Sequence, residues 1–126
     1  MKLKATIETK KDYIEVKPHN TDYWGLLEAF GELIKLPDYP GKNVMWIFPD
    51  EPLKIAFDDV EKIGDIVKKP YTRLAKPNRR IALVTATGLQ KALAKTFSKI
   101  VEDLSLEINA FSDFQKAKEW ITEKSS

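Results

Sequence analysis

The sequence contains no cysteine and only one histidine, His19. Without cysteine the chain forms neither disulfides nor thiolate metal sites, and nothing indicates an oxidising compartment. No serine–histidine, cysteine–histidine, metal-ligand or glycine-rich phosphate pattern stands out, and a surface or capping role is the default for His19. The sequence therefore predicts a protein that is not an enzyme and that uses no cofactor or metal.

Long apolar runs are also missing. The start of the chain, "MKLKATIETKK", alternates apolar and charged residues, and no later segment reaches the roughly 20 apolar residues of a membrane span. At 126 residues the chain is long enough for one domain with its own core. We therefore expect residues 1–126 to form a single domain without a transmembrane segment, located in the cytoplasm.

Acidic residues are absent from one long stretch. Residues 66–101 contain nine lysines or arginines and no aspartate or glutamate, whereas the flanks carry the remaining 12 basic residues against all 19 acids. The overall charge of +2 conceals this separation. Basic and acidic residues usually alternate on a protein surface, so the basic stretch is the least ordinary feature of the composition.

Short alternating segments and amphipathic helices succeed one another along the chain. "LKATIETK" and "DYIEVKP" predict an antiparallel hairpin, and "NVMWIF", "RRIALVTA" and "SLEINAF" predict three more strands, the first two of them buried. Four helical segments follow the second to fifth strands, with predicted caps at Asn20 or Thr21, at Asp58 with Glu61, at Thr87, and at Ser112. Strands that alternate with helices predict an α/β fold with a mixed, mostly parallel sheet of about five strands and about four helices.

Apolar residues at helical spacing predict which side of each helix is buried. The stripes are Trp24, Leu27, Phe30, Leu33 and Ile34 in the first helix; Val60, Ile63 and Val67 in the second; Leu89, Leu93, Phe97 and Ile100 in the third; and Phe114, Ala117 and Ile121 or Trp120 in the last.

The segments "NVMWIFPDE…FDDVEKI", "RRIALVTATG" and "INAFSDFQKAKEWI" are similar to those of small bacterial SpoIIAA-like proteins, which share the fold of STAS domains. The family's closing pattern matches Phe111, Ala117, Trp120 and Ile121. The resemblance covers nearly the whole chain and rests on pattern and order of elements. It implies a SpoIIAA-like fold and a non-catalytic regulatory or protein-interaction module.

In the anti-sigma factor antagonists of that superfamily, a serine at the start of the helix after the third strand is phosphorylated. The matching position lies near Phe57, Asp58 and Asp59, and there is no serine or threonine between Met45 and Tyr71. The phosphorylation switch is therefore predicted not to operate here. Asp58 and Asp59 either supply a permanent charge in its place or cap the helix, and we favour capping.

Ligands of parallel sheets tend to bind where strands end and helices begin. At one such loop Thr85, Thr87 and Gly88 could hold an anion at a helix N-terminus, although a simple capping role for Thr87 is favoured. At another, Asp50 and Glu51 could bind a metal or act as an acid–base pair, although a solvated turn is favoured.

Lys91, Lys95 and Lys99 are four residues apart, which places them on one face of the third helix. Together with Arg79 and Arg80, and with Lys68, Lys69, Arg73 and Lys76, they could form a basic patch for an anionic partner. Alternatively Glu102, Asp103, Glu107 or Glu119 neutralise them within the fold. An acidic protein surface or a second copy is the expected partner; nucleic acid is not, because no known reading element appears.

Two functions follow. The first is a STAS-like module whose sheet end and third helix dock a partner. The alternative is a carrier or sensor of a small apolar, lipid-like or anionic molecule, in a pocket lined by Trp24, Trp46, Phe48, Phe57 and Phe97, although such aromatic residues more often simply fill a core.

Overall fold

The computed structural model describes residues 5–37, 39, 42–51, 53–74, 79–104 and 106–123, with the backbone alone for 70–74. Five strands and four helices follow one another in this part of the chain. They are β1 (Ala5–Thr9), β2 (Tyr13–Pro18), α1 (Tyr23–Ile34), β3 (Asn43–Ile47), α2 (Phe57–Leu74), β4 (Arg79–Val84), α3 (Gly88–Ile100), β5 (Leu106–Phe111) and α4 (Phe114–Thr122). The predicted α/β class and the order of elements are confirmed.

The strands form one sheet in the order β1-β2-β3-β4-β5. β1 pairs antiparallel with β2 through the predicted hairpin, whereas β2, β3, β4 and β5 are parallel to their neighbours. The register places Val44 opposite Ile81 and Ile81 opposite Ile108, so apolar side chains continue across the strands on one face. The predicted mixed, mostly parallel sheet is therefore confirmed.

Both faces of the central strands are covered. Val44 of β3 packs in the cluster that joins the sheet to α1, α2 and α3, whereas the next residue, Met45, packs in a second cluster with Ala117 and Ile121 of α4. Successive right-handed crossovers between neighbouring parallel strands place their helices on one face, which explains the common side of the first three. α4 follows the last strand and is free to cover the other face.

Three helix starts differ from the prediction. Asp22, and neither Asn20 nor Thr21, caps α1 by accepting a hydrogen bond from Gly25 N. At α2 the Asp59 carboxylate, rather than Asp58, accepts from Ala56 N at 3.0 Å. Asp113, rather than Ser112, caps α4. At α1 and α4 the adjacent aspartate takes the cap position, because the backbone that leaves the sheet determines where the helix begins. At α2 Asp59 lies inside the first turn and its carboxylate accepts from the amide that precedes the helix.

α2 also continues beyond its predicted end. The pattern ended the helix at Lys69, because a proline follows, but the backbone stays helical as far as Leu74. Proline disfavours a helix interior by removing one backbone donor. The buried stripe of Val60 and Val67 holds the preceding turns against the sheet and α3, and this packing outweighs the local preference.

Candidate functional site at the carboxyl edge of the sheet

Four helices begin at one edge of the sheet, because each of the four parallel strands is followed directly by a helix. We call this the carboxyl edge and define it as described residues 19–24, 48–51, 53–59, 85–89 and 112–114. The positive ends of four helix dipoles meet the loops of this edge. It is therefore the part of the fold where ligands of open α/β sheets are usually held.

Four large apolar side chains are exposed at this edge. Trp24 is 68% exposed, Phe57 50%, Leu89 48% and Phe114 39%, and each lies in the first turn of a different helix. The predicted burial of Trp24, Leu89 and Phe114 is therefore wrong. In the first turns of α1 and α3 the buried positions are Gly25, Leu26 and Gln90, so Trp24 and Leu89 lie on other sides of their helices. An exposed apolar group at the start of every helix is not accounted for by core packing.

A sequence signal for this feature exists. Three of the four side chains come one or two residues after the helix cap: Trp24 after Asp22, Leu89 after Thr87 and Phe114 after Asp113. Phe57 is the first residue of α2. Large apolar residues in this position recur after every parallel strand, and the recurrence is visible in the printed sequence.

The loops of the carboxyl edge are acidic. Six carboxylates lie there against one lysine, Lys54. Asp50, Glu51 and Asp58 are exposed, and no cation of the described residues lies within ion-pair distance of them. Across the described chain no group of three or more possible metal ligands occurs. The predicted loop residues Asp50 and Glu51 thus lie in a solvated turn.

The predicted anion loop is engaged in internal hydrogen bonds. Thr85 is buried, and both its backbone N (2.7 Å) and its hydroxyl (3.3 Å) donate to Phe111 O. Thr87 caps α3, as predicted, by accepting from Gln90 N at 3.1 Å. Ala86 N donates to the Gln90 side chain at 2.6 Å. The hydroxyls of Thr85 and Thr87 therefore hold the loop in place, and only Gly88 of the predicted anion-binding set is open to solvent.

Lys91, Lys95 and Lys99 are all exposed along the outer side of α3. The acids that could have neutralised them pair elsewhere: Asp103 lies 3.3 Å from Lys68, and Glu107 lies 3.1 Å from Arg80. Among the described residues no carboxylate lies within ion-pair distance of the three lysines. The three lysines therefore leave a line of positive charge along one exposed side of α3.

Arg79 and Arg80 do not belong to that surface. They begin β4, at the opposite end of the strand from Thr85. Arg79 is 4% exposed; its guanidinium lies 4.0 Å from the Tyr39 ring centroid and donates to the carbonyl oxygens of Tyr39 and Lys42.

The Arg80 guanidinium donates a hydrogen bond to the Glu107 carboxylate and another, at 2.8 Å, to Trp120 O. The interpretation of both arginines as partner-binding is therefore corrected. Each of them connects elements of the fold through hydrogen bonds.

Another member of the predicted basic patch is also paired within the fold. Lys68 forms an ion pair with Asp103, and the side chains of Arg73 and Lys76 lie outside the described residues.

An apolar cavity of about 110 Å³ lies between the sheet and α1, α2 and α3. Trp46, Phe48 and Phe97 line it, as the carrier hypothesis predicts, whereas Trp24 and Phe57 do not. The other lining residues are Leu26, Phe30, Leu53, Ile55, Val60, Ile63, Val67, Ile81, Leu83, Gln90, Leu93, Ala94 and Leu106.

The Gln90 side chain holds the loop that follows β3 by hydrogen bonds. Its side-chain nitrogen donates to Pro49 O at 2.9 Å and to Glu51 O at 2.8 Å, and its side-chain oxygen accepts from Ala86 N. The side chain is 1% exposed. One residue of α3 thus holds two loops of the carboxyl edge together, and sequence reasoning missed it because its partners are backbone groups about 40 positions away.

His19 stands near the hairpin, where its Nε2 lies 2.6 Å from the Thr6 hydroxyl. This contact accords with the surface role expected of it.

Comparisons with protein-family models, with curated proteins and with solved structures return no match. The similarity to SpoIIAA-like proteins therefore rests on the segments quoted above and on the order of the elements. Within the described residues, none of the helices combines the length and the apolar character that crossing a membrane requires.

Proposed function

We propose that this chain is a non-catalytic, STAS-like interaction module that docks a protein partner on the carboxyl edge of its sheet and along α3. The observation that carries the proposal is the exposure of Trp24, Phe57, Leu89 and Phe114, one at the start of each helix. Each buried aromatic side chain removes about 150–250 Å² from water. Tryptophan is also among the residues that most often dominate binding energy at interfaces.

The charges around these side chains indicate what the partner carries. Lys91, Lys95 and Lys99 face solvent without a described carboxylate partner, and mutual repulsion along one helix face costs about 0.2–0.5 kcal/mol per pair. An acidic surface on the partner would offset that cost. The carboxylates of Asp50, Glu51 and Asp58 would repel acidic groups, so the acidic surface of the partner would face α3 and its apolar groups would face the edge.

Direct regulation by phosphorylation is not part of this proposal. The start of α2 carries Phe57, Asp58 and Asp59 where antagonists of the resembled superfamily carry a serine. Asp59 accepts a hydrogen bond from Ala56 N and so has a structural role, whereas Asp58 is exposed in the first turn. A constitutive interaction, with a fixed negative charge at Asp58, fits this arrangement better than a switch.

The test is affinity capture from the native host with the wild-type chain and with the double variant Trp24→Ser, Leu89→Ser. Both side chains are about half exposed or more, so the variant should fold, which far-UV circular dichroism would check. We expect a protein retained by the wild type to be lost by this variant. It should still be retained by the control variant Lys11→Ser, Lys35→Ser, whose changes lie on exposed positions away from the edge. Equal capture by the wild type and the edge variant, or no captured protein, would overturn the proposal.

A further inference from the structure

We propose that the cavity between the sheet and α1, α2 and α3 binds a small, uncharged, apolar molecule about the size of benzene. This binding site is internal, whereas the docking surface is formed by exposed side chains at the carboxyl edge. The two proposals rest on different residues, and each stands or fails without the other.

The first argument is the chemistry of the lining. Of the sixteen described residues that line the cavity, fifteen are apolar, and the remaining one, Gln90, uses its side chain in three hydrogen bonds to backbone groups. None of these sixteen residues is charged. A ligand with a charge or a strong hydrogen-bonding group would lose its water without gaining a partner, so such ligands are disfavoured.

The second argument is the size of the space. Protein interiors are close-packed, and voids larger than a water molecule are few. A cavity of about 110 Å³ with an apolar lining is of the same order as the engineered cavity of about 150 Å³, in another protein, that stays dry and accepts benzene or xenon. The cavity is partly open to solvent, and water gains few hydrogen bonds from its lining, whereas an apolar molecule gains contacts with the surrounding side chains.

The third argument is the shape of one wall. The rings of Trp46 and Phe48 are stacked with 6.4 Å between centroids and 20° between planes, and both remain only half-buried. Phe97 of α3 also lines the cavity and is half-buried. These rings present aromatic faces and edges to the cavity, and an aromatic ligand can pack against them in offset-stacked or edge-to-face contact.

Toluene and benzoate test the proposal, because they share a ring and differ in charge. Each is titrated into the intact protein while methyl groups are followed by two-dimensional NMR. We expect toluene to shift, saturably, the methyl signals of lining residues such as Val60, Leu83 and Leu93, and to raise the thermal midpoint. Benzoate at equal concentration should do neither. No saturable response to toluene, or an equal response to benzoate, would overturn the proposal.

Variants locate the binding. Ala94 of α3 lines the cavity, whereas Ala92 of the same helix is exposed, so Ala94→Leu and Ala92→Leu form a matched pair. Ala94→Leu should weaken the toluene response at least tenfold, and Ala92→Leu should leave it unchanged. If Ala94→Leu does not fold, Val67→Leu introduces a smaller extension into the same space and should weaken the response several-fold. Unchanged toluene binding in the folded cavity variant would contradict the assignment.

Discussion

Gly64 of α2 packs directly against Ile100 of α3: a Cβ atom added to Gly64 would lie 2.6 Å from Ile100 Cγ2. That separation is shorter than a carbon–carbon contact of about 3.5–4.0 Å allows. The absence of a side chain at residue 64 therefore lets the two helices meet. They form the part of the core in which Val60 and Leu93 are buried.

The substitution Gly64→Ala should destabilise the fold by about 1–3 kcal/mol, because the new methyl group overpacks the contact with Ile100. Gly31 of α1 provides the matched control, since a Cβ added there meets nothing within 4 Å. Gly31→Ala should stabilise the protein by about 0.5–1 kcal/mol, because alanine favours a helix more than glycine does. Urea unfolding of both variants measures the difference. Equal stabilisation by both would contradict the close contact.

The substitution Gln90→Leu should cost about 2–3 kcal/mol of stability, because it removes the partners of Ala86 N, Pro49 O and Glu51 O together. Gln115→Leu is the control, on an exposed position of α4. Hydrogen exchange adds a local readout: Ala86 N should exchange faster in the Gln90 variant. Unchanged protection of that amide would mean that Gln90 does not hold the loops.

Alkaline pH should destabilise the protein partly through Tyr13. Burial raises the pKa of its hydroxyl, and the charge of Glu15 and the 3.2 Å hydrogen bond to Glu15 Oε2 act in the same direction. A tyrosine in the unfolded chain has a pKa of about 10 and loses its proton at lower pH than Tyr13 does in the folded protein. The contribution of Tyr13 to stability is therefore fully present below about pH 10 and is lost as the pH rises through the higher folded pKa.

The variant Tyr13→Phe should therefore lose stability less steeply than the wild type above about pH 10. Unfolding free energies measured at intervals from about pH 8 to about pH 11 give the two slopes. The other three tyrosines are present in both proteins and cancel in the comparison. Parallel slopes would show that Tyr13 does not contribute.

Lys95→Glu should change stability and partner binding in opposite directions. Residue 95 lies one helical turn from both Lys91 and Lys99, so charge reversal replaces two repulsions by two attractions and should stabilise α3 by about 0.8–2 kcal/mol. The same change should weaken the captured partner's affinity about tenfold, because an acidic surface would then face a carboxylate. Lys11→Glu in the hairpin turn is the control for binding. Unchanged affinity after the Lys95 substitution would remove α3 from the docking surface.

Local patterns were sufficient for the elements and the sheet, because strand alternation and helical stripes depend on near neighbours along the chain. They were not sufficient for the caps, where Thr21 and Asp22, or Ser112 and Asp113, are adjacent residues of similar capping ability. Which of the two residues caps the helix depends on where the preceding strand ends in the folded sheet.

Only part of the site was predicted, because the rest depends on contacts that form in the folded chain. Helical spacing grouped Trp24 and Leu89 with the inward stripes, but the buried positions of those first turns are Gly25, Leu26 and Gln90. Composition grouped Arg79 with the exposed lysines, although its partners are the carbonyl oxygens of Tyr39 and Lys42, about 40 residues earlier. Neither distance along the chain nor charge indicated that pairing.

Site-specific photo-crosslinking tests the central claim most directly. A photoreactive amino acid is placed at Leu89 on the carboxyl edge and, in a second protein, at Lys11 in the hairpin turn at the opposite end of the strands; both positions are exposed. We predict that the captured partner crosslinks from residue 89 and not from residue 11. A crosslink from residue 11 alone would contradict docking at the carboxyl edge.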